Sequence, residues 1–476
     1  MNYLLIQNPG VAPVEGYTLL GMSTTRDCGV KGTIGQFGSG AKHAINVLLR
    51  AGIKFWIYCG RTRLDFFTVE EYIDDGLNGK TVQQVYCKLG GTSTKIIPCG
   101  WCLEFGAIDW NETAMALREF VANALDRTIR QTGGFLEARE DGLLRVIPVD
   151  ESQRRACDGF TRIYVECTPD VQKFYGELPK RFLHFSDHPE QVDQILLGKS
   201  DRNLGDGLTP MIYRGGVLVR EIKENKYPSL YDYNFPPGDL TVDECRNSSE
   251  FHTRAACAKA IRRANTTVIA EIYTSLVAVK QTFESELDPY YLLPTWEDPT
   301  DSEKERWQKG WEQAAGDAVV GDLEATHVNE FASRKGFKVK AIKKTEWVRT
   351  AARFGIKTSS TVLTENEQAG KEPLVASASA LQAVDIVWTW LLGLEMTKGK
   401  TKPRVGCYRD LMDAECDTMG YYEDGTVYLR EDISSAVSKH TLKVALEECV
   451  HYITGSTDCS RDFQSFLLDA VVAMAS

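Results

Sequence analysis

The chain has no apolar run approaching the roughly 18 residues of a membrane-spanning helix, so a helical span is excluded and a soluble protein with no membrane partner is expected. No secretory leader is expected, because the short apolar start meets Asn8-Pro9-Gly10 at once. Positive charge is in deficit: a net charge of −11 argues against a generally basic nucleic-acid surface and leaves only a local basic groove open. The cysteines lack a disulfide framework. There are 13, an odd and scattered set, which points to reduced thiols and a cytoplasmic setting. Cys99-Gly100-Trp101-Cys102 has redox or zinc spacing, but no second pair stands at matching spacing. The stretch after it, Leu103–Ile108, looks strand-like, whereas a thioredoxin-type site wants a helix starting at its first cysteine, so ordinary thiols are expected.

What is present is more telling. Thr33-Ile34-Gly35-Gln36-Phe37-Gly38-Ser39-Gly40-Ala41-Lys42 places three glycines within six positions and runs into the helical pattern Ala44, Ile45, Val47, Leu48, Leu49. Glycine permits positive φ and close backbone approach, and the helix start behind it offers unpaired N–H groups. This is the build of a phosphate cradle. It is neither a Walker loop nor a dinucleotide fingerprint, and glycine-rich turns before helices also occur for purely structural reasons.

A second motif lies in Leu117-Arg118-Glu119-Phe120-Val121-Ala122-Asn123-Ala124-Leu125-Asp126. Met115, Leu117, Phe120, Val121, Ala124 and Leu125 follow helical spacing, with Asn111 and Thr113 as expected caps. Glu119, Asn123 and Asp126 then share one helix face. A carboxylate one turn from a carboxamide can polarise a water and hold a hydrated Mg²⁺, and the alternative is a solvated polar face.

Glu119-x-x-x-Asn123-Ala124-x-Asp126 resembles the asparagine box of the gyrase, heat-shock chaperone, histidine-kinase and MutL (GHKL) superfamily, whose ATP site is the Bergerat fold. Ile34-Gly35-Gln36-Phe37-Gly38-x-Gly40 resembles its lid-end glycine box, nearest to the ninety-kilodalton chaperone and MORC branches, the latter also in Lys42-x-Ala44. Leu4–Val11 is similar to the strand and turn of the Asp-x-Gly box, and Leu19–Arg26 to the lid segment. The resemblance implies ATP and Mg²⁺ as ligands. Glu119 is implied as the base that activates water and Asn123 as the Mg²⁺ holder. Gly35, Gln36, Phe37, Gly38, Ser39, Gly40 and Lys42 are implied around the phosphates, and Asn8, Gly10 and Asp126 around the base.

Two departures accompany it. Asn8 stands where the family has aspartate, although its side-chain oxygen can still accept from an adenine amino group. The asparagine-box helix follows the glycine boxes instead of preceding them. A circular permutation accounts for that order, with Leu143–Val149 expected to pair beside Tyr3–Gln7.

At 476 residues the chain is too long for one ordinary core. The expected fold class is α+β multidomain, in three parts. Residues 1–205 form a Bergerat-type α/β sandwich, apparently circularly permuted. Residues 206–366 resemble an α/β transducer domain, and 367–476 form a mainly helical α/β domain. In the first part Lys54–Gly60, Arg63–Thr68, Val82–Lys88 and Thr161–Glu166 read as strands, and Val171–Phe182 as a helix that Pro179 kinks or ends. Pro210–Val219 reads as a hairpin and His252–Lys280 as one long helix. Between them Leu240–Ser248 is similar to the family turn that brings an arginine to the γ-phosphate, making Arg246 the candidate second catalytic residue. Glu365–Glu372 reads as a polar linker, and Leu381–Leu394 as a buried helix too short to span a membrane.

In the tail, Tyr428–Arg430 reads as a strand and Leu442–Tyr452 as an amphipathic helix. Its Glu447-Glu448-Cys449-Val450-His451 resembles the zincin motif His-Glu-x-x-His with glutamate at the first ligand position. Imidazole is the usual zinc ligand there, so a degenerate fold without zinc or hydrolysis is expected, Glu448 and His451 being its remnants. The plain alternative is a core helix with Glu447 and Glu448 on its exposed side.

The expected function is an ATP-binding protein, a Mg²⁺-dependent ATPase in which nucleotide closes a lid and drives interdomain movement or homodimerisation, acting on an unidentified protein or nucleic-acid partner. A nucleotide-sensing interaction protein with little turnover, and less so a metal-dependent peptidase, are the alternatives.

Overall fold

The structure is a computed structural model and describes residues 2–22, 38–74, 79–90, 94–187, 189–198, 209–369, 371–410, 419–455 and 461–475. The architecture is mixed α+β. The chain divides into two compact units, residues 1–318 with 340–356, and 319–339 with 357–476.

The first unit opens with β1 (Tyr3–Pro9), α1 (Glu15–Thr18), α2 (Gly40–Arg50), β2 (Phe55–Cys59), β3 (Thr62–Ile73), β4 (Lys80–Gly90), β5 (Lys95–Cys102), α3 (Thr113–Thr132), α4 (Phe135–Glu140), β6 (Arg145–Val149) and β7 (Phe160–Glu166). The strands form one sheet in the order β5-β4-β3-β2-β7-β1-β6, with every neighbouring pair antiparallel. Alternation along the strands sends Leu4, Ile6, Ile57, Leu64, Phe66, Val85, Cys87, Ile163 and Val165 to one face. There they pack with Ala44, Ile45 and Leu48 of α2 and Leu117, Phe120, Val121 and Leu125 of α3. The other face carries Tyr3, Leu5, Val149 and Tyr164, with the Arg154 guanidinium 4.1 Å over Trp56. The result is an α/β two-layer sandwich, and α2 and α3 lie side by side on it.

The expected pairing of Leu143–Val149 beside Tyr3–Gln7 is present, running from Tyr3↔Val149 to Gln7↔Arg145. Five expected local structures need correction. Leu103–Ile108 is a turn, not a strand: the Asn46 carboxamide donates to the Cys102 and Phe105 carbonyls, and Arg50 to those of Leu103 and Trp110. Side chains therefore satisfy the carbonyls that a ladder would have used, and the Cys99–Cys102 pair sits at the end of β5. Neither Asn111 nor Thr113 caps α3: its first flanking residue is Glu112, with no side-chain cap. The helix expected over Val171–Phe182 is two, α5 (Pro169–Gly176) and α6 (Leu178–Arg181), with Pro179 in the first turn of the second, where a missing N–H is harmless.

The rest of this unit holds a five-stranded sheet built from β8 (Gln191–Val192), β9 (Ile195–Leu196), β10 (Met211–Arg214), β11 (Val217–Glu221) and β12 (Asp232–Phe235), ordered β11-β10-β12-β9-β8. Helices α7 (Glu250–Arg263), α8 (Thr266–Val277), α9 (Pro289–Leu292) and α10 (Asp301–Ala315) follow. The single helix expected over His252–Lys280 is thus broken, because the Asn265 side chain accepts from Val268 N–H and starts α8 afresh. Helices α8 and α10 come close at Gly310, where a Cβ would lie 2.5 Å from Ile269 Cγ2.

In the second unit the helices Ala378–Gly393 and Lys439–Thr454 pack on a four-stranded sheet of Lys371–Leu374, Arg404–Asp410, Thr426–Arg430 and Gly420–Glu423. Glu365–Glu372 is no linker: its first part continues the helix Ser359–Ala369, and from Lys371 it pairs antiparallel with Arg404–Asp410. No helix among the described residues is long and apolar enough to cross a membrane.

Candidate functional site

The described part of the glycine-rich segment begins at Gly38, whose φ of +75° suits glycine. A Cβ there would lie 2.9 Å from the Gly21 carbonyl oxygen and 3.0 Å from the Met22 carbonyl carbon. Gly35, Gln36 and Phe37, and Ser23–Arg26 of the expected lid segment, lie outside the described residues. Lys42, 1% exposed, donates its ammonium to the carbonyls of Gly38 at 2.7 Å and Met22 at 3.1 Å, and burial pulls its pKa down to about 8. Its charge is therefore committed to holding these two backbone positions.

Gly40 opens α2, and a Cβ on it would collide with Oε2 of Glu119. The glycine is required here for close approach, since its φ is not positive. Glu119 projects from α3, 3% exposed, and accepts two hydrogen bonds from Arg246, Nε to Oε1 at 2.5 Å and Nη2 to Oε2 at 3.0 Å. Arg118 lies 3.8 Å from the same carboxylate. Burial alone would raise the Glu119 pKa, but the Arg246 charge and hydrogen bonds, with Arg118 behind them, hold it below the ordinary value. For Arg246, burial works to lower the pKa and Glu119 outweighs it, so the guanidinium stays charged. Arg246 is 6% exposed.

Arg246 sits in the segment between β12 and α7, in a tight turn. Asp243 N–H donates to the Asn247 carbonyl, Arg246 N–H to the Asp243 carbonyl, and Asn247 N–H to the Asp243 carboxylate. Arg246 has a φ of +59°, a conformation that costs an L-residue roughly 1–2 kcal/mol. The turn is fastened to the α layer at three points. Besides Arg246 on Glu119, Arg118 Nη2 donates to the Cys245 carbonyl at 2.6 Å, and Glu244 Oε1 accepts from the Ser39 hydroxyl. His43 Nε2 lies 3.3 Å from that same oxygen. The His43 ring is stacked between Phe105 at 4.3 Å and Trp110 at 4.8 Å, and burial lowers its pKa against the opposing pull of Glu244. Glu244, His43 and Arg118 are absent from the sequence-level candidates. The available signal was position alone: Glu244 is two residues from Arg246, Arg118 adjoins Glu119, and His43 follows Gly40 by one helical turn.

The remaining candidates are spread along α3. Asp126, 1% exposed, interacts electrostatically with Arg246 and with Arg214, whose guanidinium donates to the Leu240 and Pro237 carbonyls. Asn123 is half-buried between Glu119 and Asp126. Asn8 is buried and donates its carboxamide N–H to the Pro9 carbonyl. Gly10, with φ +81°, lies against Arg127 and Gln131, and its carbonyl accepts from the Thr161 hydroxyl. Arg127 is eight residues beyond Glu119, about 12 Å along the helix. Asn8 and Gly10 thus stand toward one end of α3, and Gly40, Glu119 and Arg246 toward the other.

In the tail, Glu448 is buried, which corrects its expected place on the exposed side of the helix, while Glu447 is half-buried. A Cβ on Gly420 would lie 2.7 Å from its Cγ, so the carboxylate stem packs against the neighbouring strand. His451 stacks on Phe463 at 4.4 Å. Among the described residues no group of three or more His, Cys, Asp or Glu is arranged to hold a metal ion. Compared with protein-family models, with curated proteins and with solved structures, the chain matches none.

Proposed function

We propose that the first unit binds ATP with Mg²⁺ along α3 and hydrolyses it, in the manner of the GHKL superfamily that its motifs resemble. The observation that carries the reading is the buried Glu119–Arg246 pair set against Gly40 at the start of α2. A carboxylate, a guanidinium and a helix N-terminus converge there, which are the groups that hydrolysis at a terminal phosphate requires. The base would lie toward Asn8 and Gly10, about 12 Å along α3. Bergerat topology, a circular permutation and a transducer role for residues 206–366 belong to the same proposal. The all-antiparallel sheet that pairs β6 with β1 supports the first two.

The chemistry follows from charge. Glu119 accepts a proton from water as the water oxygen bonds to the γ-phosphorus, and the bond from that phosphorus to the β–γ bridging oxygen breaks, leaving ADP and phosphate. With Arg246 on its carboxylate Glu119 is a weak base, since its pKa is held low. Transfer of Arg246 to the γ-phosphate removes the main lowering influence, and burial then raises the carboxyl toward the range of a working base. Mg²⁺ supplies charge neutralisation on the phosphates. Asn123 would be its one protein ligand.

Glu119→Gln should keep MgATP binding and lose turnover by about 10²–10⁴-fold, the usual worth of a positioned base. The measurements are an ATP-dependent thermal shift and phosphate release; a wild-type protein that shows neither refutes the proposal. The same pair also favours a second reading, binding with little turnover, should Arg246 stay on Glu119 in the nucleotide-bound state. A bound protein with no phosphate release would select it.

A further inference from the structure

We infer that Glu244 is the positioning residue that keeps Arg246 on Glu119, so that the Asp243–Asn247 turn is an internal brake on the site; this rests on the ATP reading above. The two side chains leave the same short turn and grip the start of α2 from two sides. Arg246 takes Glu119, which packs on Gly40, while the Glu244 carboxylate accepts from the Ser39 hydroxyl and lies 3.3 Å from His43 Nε2. Ser39 is the residue immediately before α2, so the Glu244 carboxylate is an anion lodged beside a helix N-terminus. A polyphosphate approaching the glycine segment seeks that same charge environment and the same guanidinium.

The two displacements are coupled by the turn itself. Asp243 and Asn247 bond each other across it, so Glu244 and Arg246 move as one piece. Glu244 is the weaker hold, because its side chain is 49% exposed while Glu119 is almost wholly buried. An incoming γ-phosphate would first compete with Glu244 by repulsion, then draw Arg246 from Glu119. Releasing the brake and activating the base would then be one event. Cys245 lies between the two side chains and is 8% exposed, so its thiol reports whether the turn is docked.

The test uses the full-length wild type and Glu244→Gln with MgATP as the probe, read by calorimetric affinity and by iodoacetamide labelling of Cys245 followed by peptide mass mapping. Glu244→Gln should bind MgATP about tenfold more tightly, as losing one charge-assisted hydrogen bond of the brake implies. It should also label Cys245 faster without nucleotide, whereas the wild type should do so only once MgATP is added. A wild type that binds MgATP with unchanged or slower Cys245 labelling overturns the inference and leaves the ATP reading standing. So does a Glu244→Gln protein of unchanged affinity. If neither protein binds MgATP, the ATP reading itself falls and this one with it; binding by Glu244→Gln alone supports both. The wild-type labelling needs no variant, so a poorly folding Glu244→Gln would not remove the test.

Discussion

Replacing Arg246 with methionine removes the guanidinium but keeps much of its length, and so isolates the charge. In the wild type Glu119 is 3% exposed and takes two hydrogen bonds from Arg246. Removing one partner of such a pair leaves an uncompensated buried charge, at a cost of about 3–5 kcal/mol. Arg118 remains 3.8 Å from the carboxylate and keeps the expected loss near the lower figure. For a unit of this size, at about 2.1 cal/mol/K of unfolding entropy per residue, about 3 kcal/mol corresponds to roughly 4 °C in melting temperature.

The pH dependence makes the prediction specific. In the wild type the Glu119 carboxyl is held below its ordinary value of about 4.3. Its contribution is therefore complete above about 4.3 and is lost as pH falls through the lower folded-state value. In Arg246→Met the chief lowering influence is gone and burial raises the pKa. The folded variant then takes up a proton that the unfolded chain releases, and it loses stability as pH rises from about 4.3 toward neutrality. The deficit relative to wild type should be largest near pH 7 and shrink toward pH 4.5. Tryptophan-fluorescence melts across that range measure it. A deficit that is absent at pH 7, or independent of pH, would mean that Glu119 and Arg246 do not form this pair. Adding Glu119→Gln to Arg246→Met should restore most of the stability at pH 7, since the buried charge is then gone as well.

Gly40→Ala should cost about 1–3 kcal/mol in urea unfolding, because the new methyl group meets the Glu119 carboxylate; a variant as stable as wild type would contradict the close approach. Gly310→Ala should lose a similar ~1–3 kcal/mol by forcing α8 and α10 apart at Ile269, and unchanged stability would place that crossing elsewhere. Burial sets the Lys42 ammonium at about 8, below its unfolded value of about 10.4. Its charging penalty is thus present below about pH 8 and relieved as pH rises toward 10. Against Lys42→Met, the wild type should therefore gain about 2 kcal/mol between pH 7.5 and 9.5. A constant difference across that range would refute the buried, charge-penalised lysine.

Strands β2, β3, β4 and β7 were legible because their alternation is written in the chain: Phe55, Ile57 and Cys59 point one way and Trp56 and Tyr58 the other, whereas β5 was not named from the sequence. The β1–β6 pairing was expected on other grounds, from the permuted order of the motifs, and it is present. The turn at Leu103–Ile108 was not, since its carbonyls are satisfied by Asn46 and Arg50 from α2, far away in sequence, and no local pattern encodes that. The break in the helix expected over His252–Lys280 was written locally, in Asn265, a residue that caps a helix more readily than it continues one. The site divides along the same line. Glu119 and Gly40 could be read from spacing, because each belongs to a helix whose period fixes its direction. Arg246 could be named only by resemblance, and Glu244 not at all, because both lie in an irregular turn whose direction is set by its docking. That docking is why the turn suits control: Arg246 on Glu119, Arg118 on the Cys245 carbonyl, Glu244 on Ser39 and His43, and Cys245 packed against the core hold one strained residue in place, and binding at the glycine segment has to overcome these contacts.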